Sequence, residues 1–315
     1  MNKQKTAILF PGQGSQVPGM GKDLAEHHEA AAAVFQAADR ALNEPFSELV
    51  FHGAEEELKK TANTQPALLT AGIAIWRVLQ EKGVDAEYTA GHSLGEYASL
   101  VAAEALPFDE AVCAVRKRGE FMEEAVPEGS GAMAAVLGME RADLESVTEE
   151  AAQTAGAVEP ANYNAPGQIV ISGSREGVEK AVGLAKERGA KKAVMLNVSG
   201  PFHSSLMKPA ADKMEQELNG LTISPLQRTV IANVSASAYS SAEQVTSSLT
   251  EQIHAPVKWE ETIQTLVDEG VDTFIEAGPG KVLSGLVKKV SRRATVLPVY
   301  DEETLNAALE KLAID

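Results

Sequence analysis

Residues 86–95 read Ala86-Glu87-Tyr88-Thr89-Ala90-Gly91-His92-Ser93-Leu94-Gly95, followed by Glu96-Tyr97-Ala98-Ser99-Leu100-Val101-Ala102-Ala103. A short apolar run enters a G-x-S-x-G turn and leaves through strong helix formers. This pattern predicts a strand, a sharp turn and a helix. Such a turn exposes its serine hydroxyl and tolerates only small neighbours. The helix that follows directs unpaired N–H groups and a partial positive charge towards the turn. Ser93 is therefore the nucleophile candidate, although G-x-S-x-G also occurs in ordinary turns.

Working outward, short aliphatic runs alternate with longer helical patterns, the signature of an α/β fold with a mainly parallel sheet. Strands are expected at Thr6–Phe10, Tyr88–Ala90, Thr229–Asn233 and Thr273–Glu276, and helices at Leu24–Ala41, Pro66–Gln80 and Asp109–Glu124. Residues 131 to 198 change rhythm. Ala132–Gly138, Val158–Asn162, Gln168–Ser172 and Ala193–Val198 read as strands, with helices at Arg141–Thr154 and Arg175–Arg188. That βαββαβ order is ferredoxin-like. We expect residues 1–128 and 199–315 to form a large α/β-hydrolase-like subdomain. Residues 129–198 would be a small ferredoxin-like insertion, leaving a cleft where the two meet.

The 315 residues suffice for one large domain with an insertion or for about two domains. With 28 basic and 45 acidic side chains the formal charge is −17, which argues against general nucleic-acid binding. An acidic protein partner would need a local basic patch, and Arg116-Lys117-Arg118, Lys191-Lys192 and Lys288-Lys289 with Arg292-Arg293 are the candidates; each also reads as a solvated face. No apolar run approaches the ~18 residues of a membrane helix. Thr6–Phe10, after Met1-Asn2-Lys3-Gln4-Lys5, is too short for a secretory core of ~7–15 residues. The lone Cys113 cannot form an internal disulfide and reads as core filler, which points to a reducing, cytoplasmic setting.

Phe10-Pro11-Gly12-Gln13-Gly14-Ser15-Gln16 lies between a strand and a helix, but Val17 stands where a dinucleotide fingerprint needs a small residue. Neither this loop nor Gly278-Pro279-Gly280-Lys281 has phosphate-loop spacing. The first can instead bring a main-chain N–H to an oxyanion, with Gln13 as one donor and Leu94 as the other. Of the six histidines, His27 and His28 read as solvated, and His52 and His254 as loop residues. His92 adjoins Ser93, where neighbours usually point apart. His203 follows Gly200-Pro201-Phe202 at the proposed junction, where it could serve as the base or cap a helix.

These stretches, with Gln65-Pro66-Ala67, Arg116-Lys117-Arg118-Gly119, Asn164-Ala165-Pro166-Gly167-Gln168, Ile171-Ser172-Gly173, Phe202-His203-Ser204 and Glu276-Ala277-Gly278-Pro279-Gly280, run through the whole chain. The chain resembles the bacterial malonyl-CoA:acyl-carrier-protein transacylases, within the acyltransferase family of fatty-acid and polyketide synthesis. The resemblance implies that Ser93 is acylated and His203 is its base, oriented by a main-chain carbonyl near Gln252. It implies Gln13 and Leu94 as oxyanion donors and Arg118 as the clamp on a substrate carboxylate. Gln252, Phe202, His92, Gln65 and Asn164 would surround the substrate. It further implies malonyl-CoA and holo acyl carrier protein as substrates, no cofactor or metal, no nucleic acid or membrane partner, and a monomer in the cytoplasm. A serine hydrolase, a non-catalytic carrier-binding module and a polyketide-pathway acyltransferase are the competing readings.

Overall fold

The computed structural model describes residues 5–314; Asp315 and the Met1-Asn2-Lys3-Gln4 start of the amino-terminal segment lie outside them. In chain order the strands are β1 (Thr6–Phe10), β2 (Tyr88–Gly91), β3 (Gly131–Leu137), β4 (Val158–Ala165), β5 (Gln168–Ser174), β6 (Lys192–Met195), β7 (Thr229–Val230), β8 (Thr273–Ala277) and β9 (Thr295–Val299). One sheet has the order β7-β2-β1-β8-β9 and every neighbouring pair in it is parallel. The other has the order β4-β5-β3-β6 and is antiparallel throughout.

β1 explains why the first sheet is central. All five of its residues are buried. Because a strand alternates faces, Ile8 and Phe10 enter the core that holds Trp76, Tyr97 and Leu94, while Ala7 and Leu9 enter the one that holds Trp259, Ile263 and Phe274. Helices cover both faces, which is the condition parallel sheets require. The antiparallel sheet is asymmetric. Ala134, Val136, Ile169 and Ile171 pack against Leu144, Val147, Val178 and Ala181 of its own two helices. Met133 and Val170 point the other way, into the main core and the cleft. β4 is tied to the loop that leads into the helix Trp259–Asp268 where Tyr163 N–H donates to Val257 O (2.9 Å) and Val257 N–H to Ala161 O (2.8 Å).

The structure departs from the sequence expectation at several places: β6 ends at Met195 rather than Val198, β9 is an additional strand, and four further differences have a visible cause or partner. The helix expected over Leu24–Ala41 is two helices, Lys22–His27 and Glu29–Leu42, broken at His28, whose backbone is extended. Its imidazole Nε2 lies 2.8 Å from Glu302 Oε2, so a long-range polar contact outweighs local helix propensity. The helix expected to begin at Pro66 begins at Thr61, with Pro66 inside it. There Glu123 Oε1 accepts the Thr61 N–H (2.6 Å), supplying a tertiary cap. β7 stops at Val230 rather than Asn233, because Asn233 turns towards the Ser93 elbow. His52 closes the helix Phe46–His52 instead of lying in a loop.

Candidate active site

Ser93 sits at the bend between β2 and the helix Gly95–Ala102. Its φ of 54° is in the left-handed region, which a serine occupies at a cost of ~1–3 kcal/mol unless its surroundings fix it there. They do so through Asn233. Ser93 N–H donates to Asn233 Oδ1 (2.8 Å), and Asn233 Nδ2 donates to Gly91 O (2.8 Å). Both flanking glycines are sterically required. A Cβ on Gly91 would lie 1.9 Å from Gly95 O, and one on Gly95 would lie 2.3 Å from Phe10 O.

His203 comes from the loop after β6, also with a positive φ (57°). Its Nε2 is 2.7 Å from Ser93 Oγ and its Nδ1 is 2.7 Å from the main-chain oxygen of Gln252. A carbonyl can only accept, so Nδ1 carries the proton and Nε2 presents its lone pair to the hydroxyl. Burial, reinforced by the Arg118 charge, pushes the imidazole down to about 3. The imidazole is therefore held neutral, with the Nε2 lone pair facing Ser93 Oγ.

Arg118 lies on the helix Phe108–Glu124, beside Gly119. A Cβ on Gly119 would meet Ala62 Cα and Thr61 O at 2.7 Å, and this close approach brings the guanidinium against Gln65 of the neighbouring helix. The three basic neighbours diverge as helical geometry demands. Arg116 pairs with Glu44, Lys117 with Glu217, and Arg118 turns inward, 1% exposed. Its Nη1 donates to Gln65 Oε1 (2.8 Å). Its Nη2 donates to Gln252 Oε1 (2.8 Å) and to Ser93 Oγ (3.1 Å). Among the described residues no carboxylate pairs with it directly, and its Nε has no hydrogen-bond partner.

A cleft of about 810 Å³ opens over these groups, lined by Gln13, Gln65, His92, Ser93, Leu94, Arg118, Asn164, Phe202 and His203. The small sheet contributes Met133, Asn162, Asn164 and Val170 to its wall. Ser93 N–H is committed to Asn233 and Gly95 N–H to His92 O (2.9 Å), which leaves the Leu94 N–H at the open end of the helix. Gln13 anchors its loop by donating Nε2 to Thr61 Oγ1 (3.1 Å). His92 has its Nε2 2.8 Å from Asn164 Oδ1 on β4 of the antiparallel sheet. Gln252 requires a correction. It is fully buried and absent from the cleft wall, so it supports Arg118 and His203 from behind instead of touching a substrate. Cys113 is also off the cleft; its Sγ donates to Ala41 O (3.3 Å) and burial raises its thiol.

Sequence reasoning missed the polar layer beneath the site. Besides Asn233, it contains Glu96, 1% exposed, which accepts from Tyr239 Oη (2.6 Å), Gln252 Nε2 (2.7 Å) and Asn233 N (3.2 Å). The available signal was Glu96 itself, a lone charge in an otherwise apolar helix. Glu276, near the end of β8, caps the helix Val282–Val290 through its carboxylate, which accepts from Leu283 N and Ser284 N.

A strained serine at a strand-to-helix bend, a neutral imidazole and oriented main-chain N–H groups define the acyl-transfer class of site. The chain belongs to the acyl transferase domain family, which matches residues 8–314. It is 54% identical over 308 residues to the malonyl CoA-acyl carrier protein transacylase of Bacillus subtilis strain 168, covering 98% of this chain and 97% of that one. It is 44% identical over 305 residues to the protein of the same name from Escherichia coli K12 (96% and 98% covered). Among solved structures, a malonyl-transacylase in complex with its type II PKS acyl-carrier protein superimposes with a TM-score of 0.95 at 44% identity, covering 98% of this chain and all of that one.

Proposed function

We propose that this chain transfers the malonyl group of malonyl-CoA to the pantetheine thiol of a holo acyl carrier protein, by a ping-pong route through malonyl-Ser93, in fatty-acid biosynthesis. One observation carries the reading: Ser93 Oγ lies between His203 Nε2 (2.7 Å) and Arg118 Nη2 (3.1 Å). In a malonyl thioester a single methylene separates the reacting carbonyl from a free carboxylate. A guanidinium meant for that carboxylate must therefore sit within one acyl group's reach of the nucleophile. Here it does, and its planar fork suits a carboxylate in a way that lysine cannot reproduce.

In the first half-reaction His203 Nε2 takes the Ser93 proton as Oγ bonds to the malonyl carbonyl. The oxyanion is placed at the N–H groups of Gln13 and Leu94. Collapse breaks the C–S bond, and His203 returns the proton to the departing coenzyme A thiolate. In the second half the carrier's thiol gives its proton to His203 and attacks the ester, and Ser93 regains a proton. Every electron pair and proton is accounted for by these groups, so the reaction calls for no metal or redox cofactor. The site is complete within one chain, which supports action as a monomer. A coenzyme A thioester donor and a lone cysteine support a cytoplasmic setting. Among the described residues no helix is long and apolar enough to cross a membrane.

The test is to mix the protein with malonyl-CoA and holo carrier proteins of the fatty-acid and type II polyketide classes and to analyse products by mass spectrometry. Coenzyme A release matched by malonyl on the carrier thiol is expected. Free malonate as the sole acyl product would make the protein a hydrolase, and absence of coenzyme A release would make it a binding module.

A further inference from the structure

Gln252 stands between two groups with opposite demands. On one side is the Arg118 guanidinium, which can only donate. On the other are three acceptors: Ser93 O (2.9 Å), Glu96 Oε2 (2.7 Å) and Asn233 Oδ1 (3.3 Å). Asn233 Oδ1 is fixed as an acceptor because the same amide's Nδ2 donates to Gly91 O. The Gln252 amide therefore has one satisfactory orientation, with Oε1 towards Arg118 and Nε2 towards Glu96. Main-chain Gln252 O simultaneously holds His203 Nδ1.

We propose that Glu96 is a positioning residue for substrate selection: it locks the Gln252 amide so that Oε1 aims the Arg118 guanidinium at the malonyl carboxylate. The inference rests on the transferase reading above. A carboxylate in direct contact with Arg118 would occupy the fork needed for substrate. Interposing a neutral amide takes one Nη2 hydrogen and keeps a competing carboxylate off the guanidinium, while a fully buried acidic group still backs it. The donors around Glu96 are consistent with this. Burial pushes its carboxyl up to about 7, opposed by the Tyr239, Gln252 and Asn233 hydrogen bonds and by the Arg118 charge.

The experiment compares Ser93 acylation by malonyl-CoA and by acetyl-CoA in the parent protein, Glu96→Ala, Glu96→Gln and Gln252→Met, with melting temperature recorded for each. Glu96→Ala is expected to lower the malonyl-over-acetyl preference about tenfold. Glu96→Gln can still accept from Gln252 through its Oε1, and should return the preference to within about threefold of the parent. Gln252→Met keeps the main-chain carbonyl for His203 but cuts the relay, so it should match Glu96→Ala; it also carries the test if Glu96→Ala does not fold. In an Arg118→Ala background, Glu96→Ala should lower the preference no further. Equal loss of malonyl and acetyl acylation, an unchanged preference, or a Glu96→Gln protein as unselective as Glu96→Ala would overturn the proposal. Failure of the parent itself to acquire malonyl would instead refute the transferase reading, so the two failures are distinguishable.

Discussion

The two sheets hold the cleft in different ways. The parallel sheet is buried on both faces and places Ser93 at the end of β2, within a network in which Asn233, Gln252, Glu96 and Arg118 satisfy one another. The antiparallel sheet keeps one face for its own helices and lends the other, through Met133, Asn162, Asn164 and Val170, to the cleft wall. The Ser93 elbow is anchored to a sheet packed on both faces, and the cleft wall is lent by a sheet whose second face is partly open to the cleft. Substitutions in the two regions should differ accordingly.

The largest effect belongs to the elbow. Ser93→Ala should reduce malonyl transfer by ~10⁴-fold or more, as removal of a nucleophile does in enzymes of this kind, with the melting temperature little changed. Residual transfer within tenfold of the parent would remove Ser93 from the chemistry. Next is a pair that compares the sheets directly. Ile8→Ala, in the middle of the fully buried β1, should cost ~2–5 kcal/mol in denaturant unfolding. Val170→Ala, on the open face of β5, should cost about 1 kcal/mol because one side of that residue already meets the cleft. Equal costs would erase the distinction between the sheets. Arg118→Ala should lower the malonyl-over-acetyl preference ~10- to 100-fold, the equivalent of a charge-assisted pair worth ~1.5–3 kcal/mol. Asn164→Ala frees His92 from across the cleft and should change KM for malonyl-CoA about threefold, leaving kcat near the parent value.

The smallest expected effect is an absence of titration. With its imidazole pushed down to about 3, His203 stays neutral as pH falls through the ordinary histidine value of 6.5. Its NMR resonance, assigned with His203→Gln, should not shift between pH 8 and 5. Across that window the unfolded chain takes up a proton that the native His203 refuses, so this group favours unfolding as pH drops. A midpoint near 6.5 would show that the base is solvated.

Much of this architecture was legible because it is local. The alternation of β1 and β2 with helical stretches, the βαββαβ order of residues 131–195, and the glycines around Ser93 all follow from neighbouring residues. The convergence of Ser93, His203 and Arg118 became readable only with the resemblance, since spacing along the chain carries no distance in space. What remained hidden depends on long-range contacts. His28 breaks a helix because Glu302 lies beside it, and the helix at Thr61 starts ahead of its proline because Glu123 caps it. Asn233 ends a strand early because it is needed 140 residues away in sequence, at Ser93. The resemblance implies Gln252 as a substrate contact, whereas its full burial makes it a support.

The most direct test of the central claim is to trap the acyl-enzyme with malonyl-CoA in the absence of carrier protein and locate the modification by peptide mass spectrometry. A single malonyl group on Ser93, absent from Ser93→Ala and discharged on adding a holo carrier, is the predicted result. A malonyl group on any other residue, or carrier acylation that proceeds unchanged in Ser93→Ala, would contradict it.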